Sequence, residues 1–163
     1  MADPAFRDRL LPCLLDRLTS DEPGAKADTA DRRWMSYQRY RDSVVRDLGC
    51  LLNTPRRQQD LEDAGAEVRK SVLNFGMADI AGRSAAGIGE EVRRHLIQAI
   101  QTYEPRILPE TLTVKELESG EGGLLEFEIR GQLWAQPMPR ELYIRTEIDL
   151  ETGQCDLRGG AHG

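Results

Sequence analysis

At Tyr103-Glu104-Pro105-Arg106-Ile107 the hydrophobic period of the chain changes, and no other feature of the sequence limits the fold as strongly. Upstream, Ile88, Val92, Leu96, Ile100 and Tyr103 recur at three- and four-residue steps, the spacing of one helix face, with Glu90, Arg93, Arg94 and Gln101 on the other. After Pro109 the period falls to two. Leu112, Val114 and Leu117 form one alternating set, Leu125, Phe127, Ile129, Gly131 and Leu133 a second, and Leu142, Ile144, Thr146, Ile148 and Leu150 a third. Short connections between consecutive strands favour an antiparallel meander, to which Cys155 to Arg158 can add a fourth strand. The expected class is α+β, with N-terminal helices packed on a small, mainly antiparallel C-terminal sheet. One sheet face is apolar; the other carries Glu126, Glu128, Arg130, Glu141, Tyr143, Arg145 and Glu147. Its open edges can accept a strand from another chain.

The junction breaks a local rule. A helix C-terminus is the negative end of the macrodipole, and a carboxylate there is disfavoured by roughly 0.3–1 kcal/mol relative to a cation. Glu104 nevertheless occupies the last turn. Pro105 pushes Glu104 out of the α region, and Arg106 adds a planar fork suited to a bidentate partner. The corner reads either as an ion pair within its own fold or as a rigid charge pair presented to a neighbouring subunit. Glu104, Pro105 and Arg106 are therefore the first candidate partner-binding residues.

Earlier in the chain, Phe6, Leu10, Leu11, Leu14, Leu15 and Leu18 make a helical stripe interrupted by Pro12, so the segment is a kinked helix or a short arm followed by a helix. Its stripe is expected to dock on the core, with an arm that orders only on a partner as the alternative. Ser20 to Arg33 holds almost no large apolar residue and reads as a solvated linker. Tyr37, Tyr40, Val44, Leu48 and Leu51 restore the helical period, Asn53-Thr54-Pro55 stops it, and Gly49 inside it hints at close packing of another element. Arg56 and Arg57 open a polar loop as a basic pair able to grip an acidic partner. Val68 to Phe75 suggests a short helix ending at Gly76, and Ser84 to Gly89 a flexible lead-in to the next helix. The expected organisation is an arm and linker over 1–33, an α+β domain over 34–158 and a flexible tail over 159–163.

Composition removes several classes. A net charge of −6 argues against nucleic acid as the main partner. Lys26, Lys70 and Lys115 are the only lysines, and the excess of arginine suits interfaces as well as it suits a biased genome. Cys13, Cys50 and Cys155 lack a paired spacing, so neither a disulfide framework nor a zinc site is expected. His95 reads as a helix-surface residue and His162 lies in the tail, which leaves no metal, cofactor or nucleophilic site. Met1 to Arg9 has no apolar core of a secretory signal, and no run approaches the roughly 20 apolar residues of a membrane span. A cytoplasmic protein without direct membrane insertion is expected.

Abundant carboxylates make a glycoside hydrolase the enzyme to weigh, with Glu104 as general acid and Glu116 or Glu128 about 5–9.5 Å away. A general acid needs a raised pKa, and a neighbouring Arg106 works against it.

The order Arg41-Asp42-Ser43-Val44-Val45-Arg46-Asp47-Leu48, Leu51-Leu52-Asn53-Thr54, Ser71-Val72-Leu73-Asn74-Phe75-Gly76 and Tyr103-Glu104-Pro105-Arg106-Ile107, closed by alternating strands, resembles the TssE family of gene-25-like baseplate subunits of bacterial type VI secretion systems. The likeness spans roughly Leu14 to Gly153, and Glu104, Pro105 and Arg106 match the family's Glu-Pro-Arg motif; Pro12 and Cys13 depart from its first apolar stripe. The resemblance implies an α+β fold related to a phage-tail wedge protein and a structural, non-enzymatic role. It implies TssF, TssG and TssK as baseplate partners and the sheath subunits TssB and TssC as the proteins whose polymerisation it helps to start. It also implies a cytoplasmic baseplate docked at the inner membrane. A lysozyme-like peptidoglycan hydrolase using Glu104, and a regulatory adaptor reusing the fold, are the alternatives.

Overall fold

The computed structural model describes residues 10–19, 34–56, 65–83, 87–117 and 123–159. Phe6 of the first stripe, the linker expected over 20–33, Arg57, the start of the lead-in at 84, most of Ser119-Gly120-Glu121-Gly122-Gly123, which reads in the sequence as a turn between the first two strands, and the tail after 159 lie outside the described residues.

Among the described residues four α-helices precede the sheet: α1 (Leu14–Leu18), α2 (Tyr37–Leu52), α3 (Ala66–Lys70) and α4 (Gly89–Tyr103). Ser36 opens α2 by accepting the Arg39 amide, and Tyr40, Val44, Leu48 and Leu51 of its expected stripe are buried, together with Ser43 and Leu52. Asn53 closes α2 and does more than stop it. Its Nδ2 donates to the Gly49 and Cys155 carbonyls at 2.9 and 2.8 Å, and its Oδ1 accepts the Cys155 amide at 2.9 Å. One side chain thereby ends the helix and fixes the start of the last strand. Gly49 lies close to that strand too, since a Cβ there would stand 3.4 Å from Leu157 Cδ1.

Between the long helices, α3 and a 3-10 turn at Val72–Asn74 replace the single short helix expected over 68–75. The segment ends at Gly76, whose φ of 114° and close approach to the Thr54 carbonyl admit no side chain. The Met77 amide donates to that same carbonyl at 2.9 Å. In α4, Val92, Leu96, Ala99 and Ile100 are buried, with Ile88 just before the helix, as the stripe predicts.

The sheet is a meander of four antiparallel strands in the order β1 (Thr113–Glu116), β2 (Leu124–Leu133), β3 (Arg140–Asp149), β4 (Cys155–Gly159). The register Phe127↔Thr146 and Ile129↔Ile144 places the predicted apolar sets on one face. That face is covered by α4, which lies against β1, and α2, which lies against β4. Phe127, Leu125, Ile129, Leu133, Ile144 and Ile148 form the centre of the core with Val44, Leu48, Leu96 and Ile100. On the opposite face Glu128 takes Arg130 at 2.6 Å and the Tyr143 hydroxyl at 3.0 Å. The fourth strand moves one sheet edge from β3 to β4.

The N-terminal stripe does not dock as expected. Leu10 is buried and pairs with Met35 through an antiparallel bridge, but Leu11, Leu14, Leu15 and Leu18 are exposed. Pro12 accounts for this. By ending regular structure between Leu10 and α1, it takes the two halves of the stripe off a common helix face. No helix among the described residues is long and apolar enough to cross a membrane.

Candidate functional site

The last turn of α4 delivers Glu104 with φ −119° and ψ 78°, outside the helical region as Pro105 requires. The turn that follows runs straight into the sheet. Trp134 donates its amide to the Arg106 carbonyl at 2.7 Å, Leu108 donates to Gln132 at 2.9 Å, and Ile107 bridges Leu133. Residues 106–108 are thus paired to the end of β2, which makes the corner a rigid part of the scaffold.

That pairing requires close backbone approach. A Cβ on Gly131 would stand 3.1 Å from Ile107 Cγ2 and 3.8 Å from Leu112 Cα, so the inward position of β2 beneath the crossover is left without a side chain.

Glu104 is 4% exposed, yet its carboxylate is fully engaged. Oε1 accepts the Arg106 backbone amide at 3.1 Å and Arg106 Nε at 2.7 Å, and Oε2 accepts Arg106 Nη2. The bidentate pair and the backbone donor offset the unfavourable helix end. Arg106 reaches further, with Nη1 donating to Ser43 Oγ at 3.2 Å and Nη2 to Asp47 Oδ2 at 2.7 Å. Burial opposes the Arg106 charge, but the hydrogen bonds and charges of Glu104 and Asp47 outweigh it and hold its pKa above the usual arginine range. Ser43 Oγ donates in turn to the Tyr40 carbonyl, and the Tyr40 hydroxyl donates to the Trp134 carbonyl at 3.1 Å. Pro105 is exposed at the apex.

Ser43, Asp47 and Tyr40 complete the site and were not among the sequence candidates. The signal for them was present. Ser43 and Asp47 are four residues apart beside the Tyr40, Val44, Leu48 stripe, so two small polar side chains border an apolar helix face that must meet the Glu-Pro-Arg corner.

Against the corner lies a cleft of about 610 Å³, mostly apolar, between the N-terminal arm and the rest of the fold. Leu11 and Leu15 stand on the arm side, Leu51 and Phe75 line it within the body, and Pro105 and Trp134 border it at the corner.

Arg56 is not brought to this corner group. Its amide donates to the Met77 carbonyl at 2.7 Å, and its charge acts on His95 and Tyr103. Arg56 Nε and His95 Nδ1 are buried without a hydrogen-bond partner among the described residues. His95 is half-buried where the sequence suggested a surface position, and burial, then the Arg56 charge, pushes its pKa down.

The carboxylates weighed as second acids stand elsewhere. Glu116 packs on Gly89, at the opposite end of α4 from Glu104, where a carboxylate complements the helix N-terminus. With a rise of 1.5 Å per residue, the two ends of this helix are roughly 20 Å apart. Glu128 lies on the sheet's polar face with Arg130 and Tyr143. Neither stands within the 5–9.5 Å that two-carboxylate hydrolysis uses. Among the described residues no cluster of three or more His, Cys, Asp or Glu side chains can hold a metal ion.

A family model described as baseplate wedge protein gp25 matches residues 38–138, more than half of the chain. The match includes α2 from its second residue on, the Glu104-Pro105-Arg106 corner and β2. No curated protein and no solved structure matches the chain significantly.

Proposed function

Because this chain belongs to the family of baseplate wedge protein gp25, we propose that it is the TssE-type wedge subunit of a bacterial type VI secretion system, connecting wedge proteins to the contractile sheath and helping to start its polymerisation. The carrying observation is that the family match includes a Glu-Pro-Arg corner built as a rigid junction of α4, α2 and β2. In this reading the corner and the cleft beside it meet the baseplate partners TssF, TssG and TssK in the cytoplasm, at a baseplate docked at the inner membrane. Arg56 and Arg57 add basic contacts. The β1 and β4 edges offer backbone groups to a strand of the TssB and TssC sheath.

The hydrolase reading finds no support in the site geometry. Both oxygens of Glu104 are already taken by three hydrogen bonds from Arg106, and neither carboxylate weighed as a second acid stands across from it.

Co-expression with TssF and TssG tests the proposal. The native chain should co-purify with them, and its deletion should abolish sheath extension. A Glu104→Ala/Arg106→Ala variant that folds should lose part of either property, and full assembly by that variant would remove the corner from the interface. Cleavage of peptidoglycan by the purified chain, lost in Glu104→Gln, would favour the hydrolase. Co-purification with a regulator or protease and without baseplate proteins would favour the adaptor.

A further inference from the structure

Five side chains of alternating charge run from the corner to the N-terminal arm. Asp47 stands at their centre and uses its two oxygens on different arginines. Oδ2 accepts Arg106 Nη2 at 2.7 Å, while Oδ1 accepts Arg46 Nε at 2.9 Å and Nη2 at 2.7 Å. Arg46 then extends its remaining Nη1 to Asp16 Oδ1 at 2.7 Å. Asp16 caps its own helix, with Oδ2 accepting the Cys13 amide at 3.3 Å while the Asp16 amide donates to Cys13 Sγ. Glu104, Arg106, Asp47, Arg46 and Asp16 are therefore one connected ladder.

The arm at the end of this ladder has little else to hold it. Helix α1 is five residues long and buries none of them. A helix of that length has no stability of its own in water. Its described attachments to the body are the burial of Leu10 with its bridge to Met35, and the contacts of Arg46, whose Nη1 pairs with Asp16 and whose Nη2 also donates to Cys13 Sγ at 3.7 Å. Such a segment opens at low free energy, independently of the core.

We infer that Asp47 and Arg46 form a latch that couples the position of the N-terminal arm to the Glu104-Pro105-Arg106 corner. Asp47 holds the Nε edge of Arg46, which aims Nη1 at Asp16; the same carboxylate anchors Arg106. A change at either end alters the partners available to Asp47 and is felt at the other end, although Asp16 and Glu104 do not touch. Coupling between two sites is reciprocal, so the factor by which releasing the arm favours opening of the corner is the factor by which releasing the corner favours opening of the arm. The cleft between arm and corner is the space whose two walls move together.

Native-state hydrogen exchange on the full chain tests this. Reporters for the arm are the Arg17 and Thr19 amides, bonded to the Cys13 and Leu15 carbonyls; the corner reporter is the Arg106 amide, bonded to Glu104. The Val92 amide in α4 serves as a control for the intact fold. Asp47→Asn should raise exchange at both arm and corner by at least about fivefold with Val92 unchanged. Asp16→Asn, which leaves every corner residue in place, should raise exchange of the Arg106 amide as well. Arm amides exchanging at the native rate in Asp47→Asn, or a corner indifferent to Asp16→Asn, would overturn the coupling.

Discussion

Arg106 binds both oxygens of the Glu104 carboxylate from two residues away, across a proline, and uses its remaining donors on Ser43 and Asp47 of α2. With one residue between the partners, little chain entropy opposes the pair, while the contacts to α2 join the end of one long helix to the middle of another. Removing one partner of a buried ion pair leaves an uncompensated charge and costs about 3–5 kcal/mol. Arg106→Ala is expected to lower the free energy of unfolding by that order in urea titration. Arg106→Lys should recover only part of the loss, because an ammonium cannot hold two carboxylates and a hydroxyl with one planar fork. A loss in Arg106→Ala below about 1 kcal/mol would mean that the pair is solvated in solution.

The corner was legible in the sequence as a violation: a carboxylate at the wrong end of a helix, followed by proline and arginine. What answered the violation was only half legible. Arg106 is adjacent in sequence, but Asp47 and Ser43 lie about sixty residues earlier, and their approach depends on how α2 and α4 cross the same sheet. Periods of two and 3.6 located α2, α4 and the strands well because each has one buried face and one wet face. The arm failed that logic. Its leucines have helical spacing, yet Pro12 separates Leu10 from Leu14 and leaves the later ones exposed. The role of Asn53 as a clamp on Cys155 was equally hidden, since a stop signal at a helix end says nothing about a strand some hundred residues later.

His95 gives the fold a pH dependence of definite sign. Burial first, and the Arg56 charge second, disfavour its protonated form in the folded chain, so its folded pKa lies below the reference value of 6.5. Between those two values the unfolded chain binds more protons than the folded one. Stability is therefore full above about pH 6.5 and declines as pH falls toward the folded pKa. In His95→Gln the slope of unfolding free energy against pH should flatten in that window. Parallel curves for the two proteins would show that the ring is solvated.

The cysteines should separate by reactivity. Cys50 is exposed, whereas Cys155 is buried, lies 2.9 Å from Thr146 Oγ1, and has its thiol pushed up to about 11 by burial. At pH 8 such a thiol is thiolate to about one part in a thousand, and the thiolate is the reactive form. Titration with a thiol reagent should label Cys50 in the folded chain and Cys155 only on unfolding. Equal rates for both in the native protein would place Cys155 at the surface.

The approach of Ile107 to Gly131 makes the last test the most local. The crossover from α4 to β1 passes over β2 so closely that a Cβ at residue 131 already falls at 3.1 Å from Ile107 Cγ2, tighter than most such contacts. Gly131→Ala must push Ile107, a fully buried side chain, by a few tenths of an ångström, and Gly131→Val adds two further methyl groups beside Thr111 and Leu112. Overpacking of this kind costs about 1–3 kcal/mol, and it acts on the bridge that fixes the corner to the sheet. Thermal unfolding should therefore fall from glycine to alanine to valine. The Trp134 amide, bonded to the Arg106 carbonyl, should lose exchange protection in the same order, before any loss in β3. If valine lowered stability while Trp134 kept its native protection, the crossover would be yielding on its outer side, and the corner would owe its rigidity to Arg106 rather than to its pairing with β2.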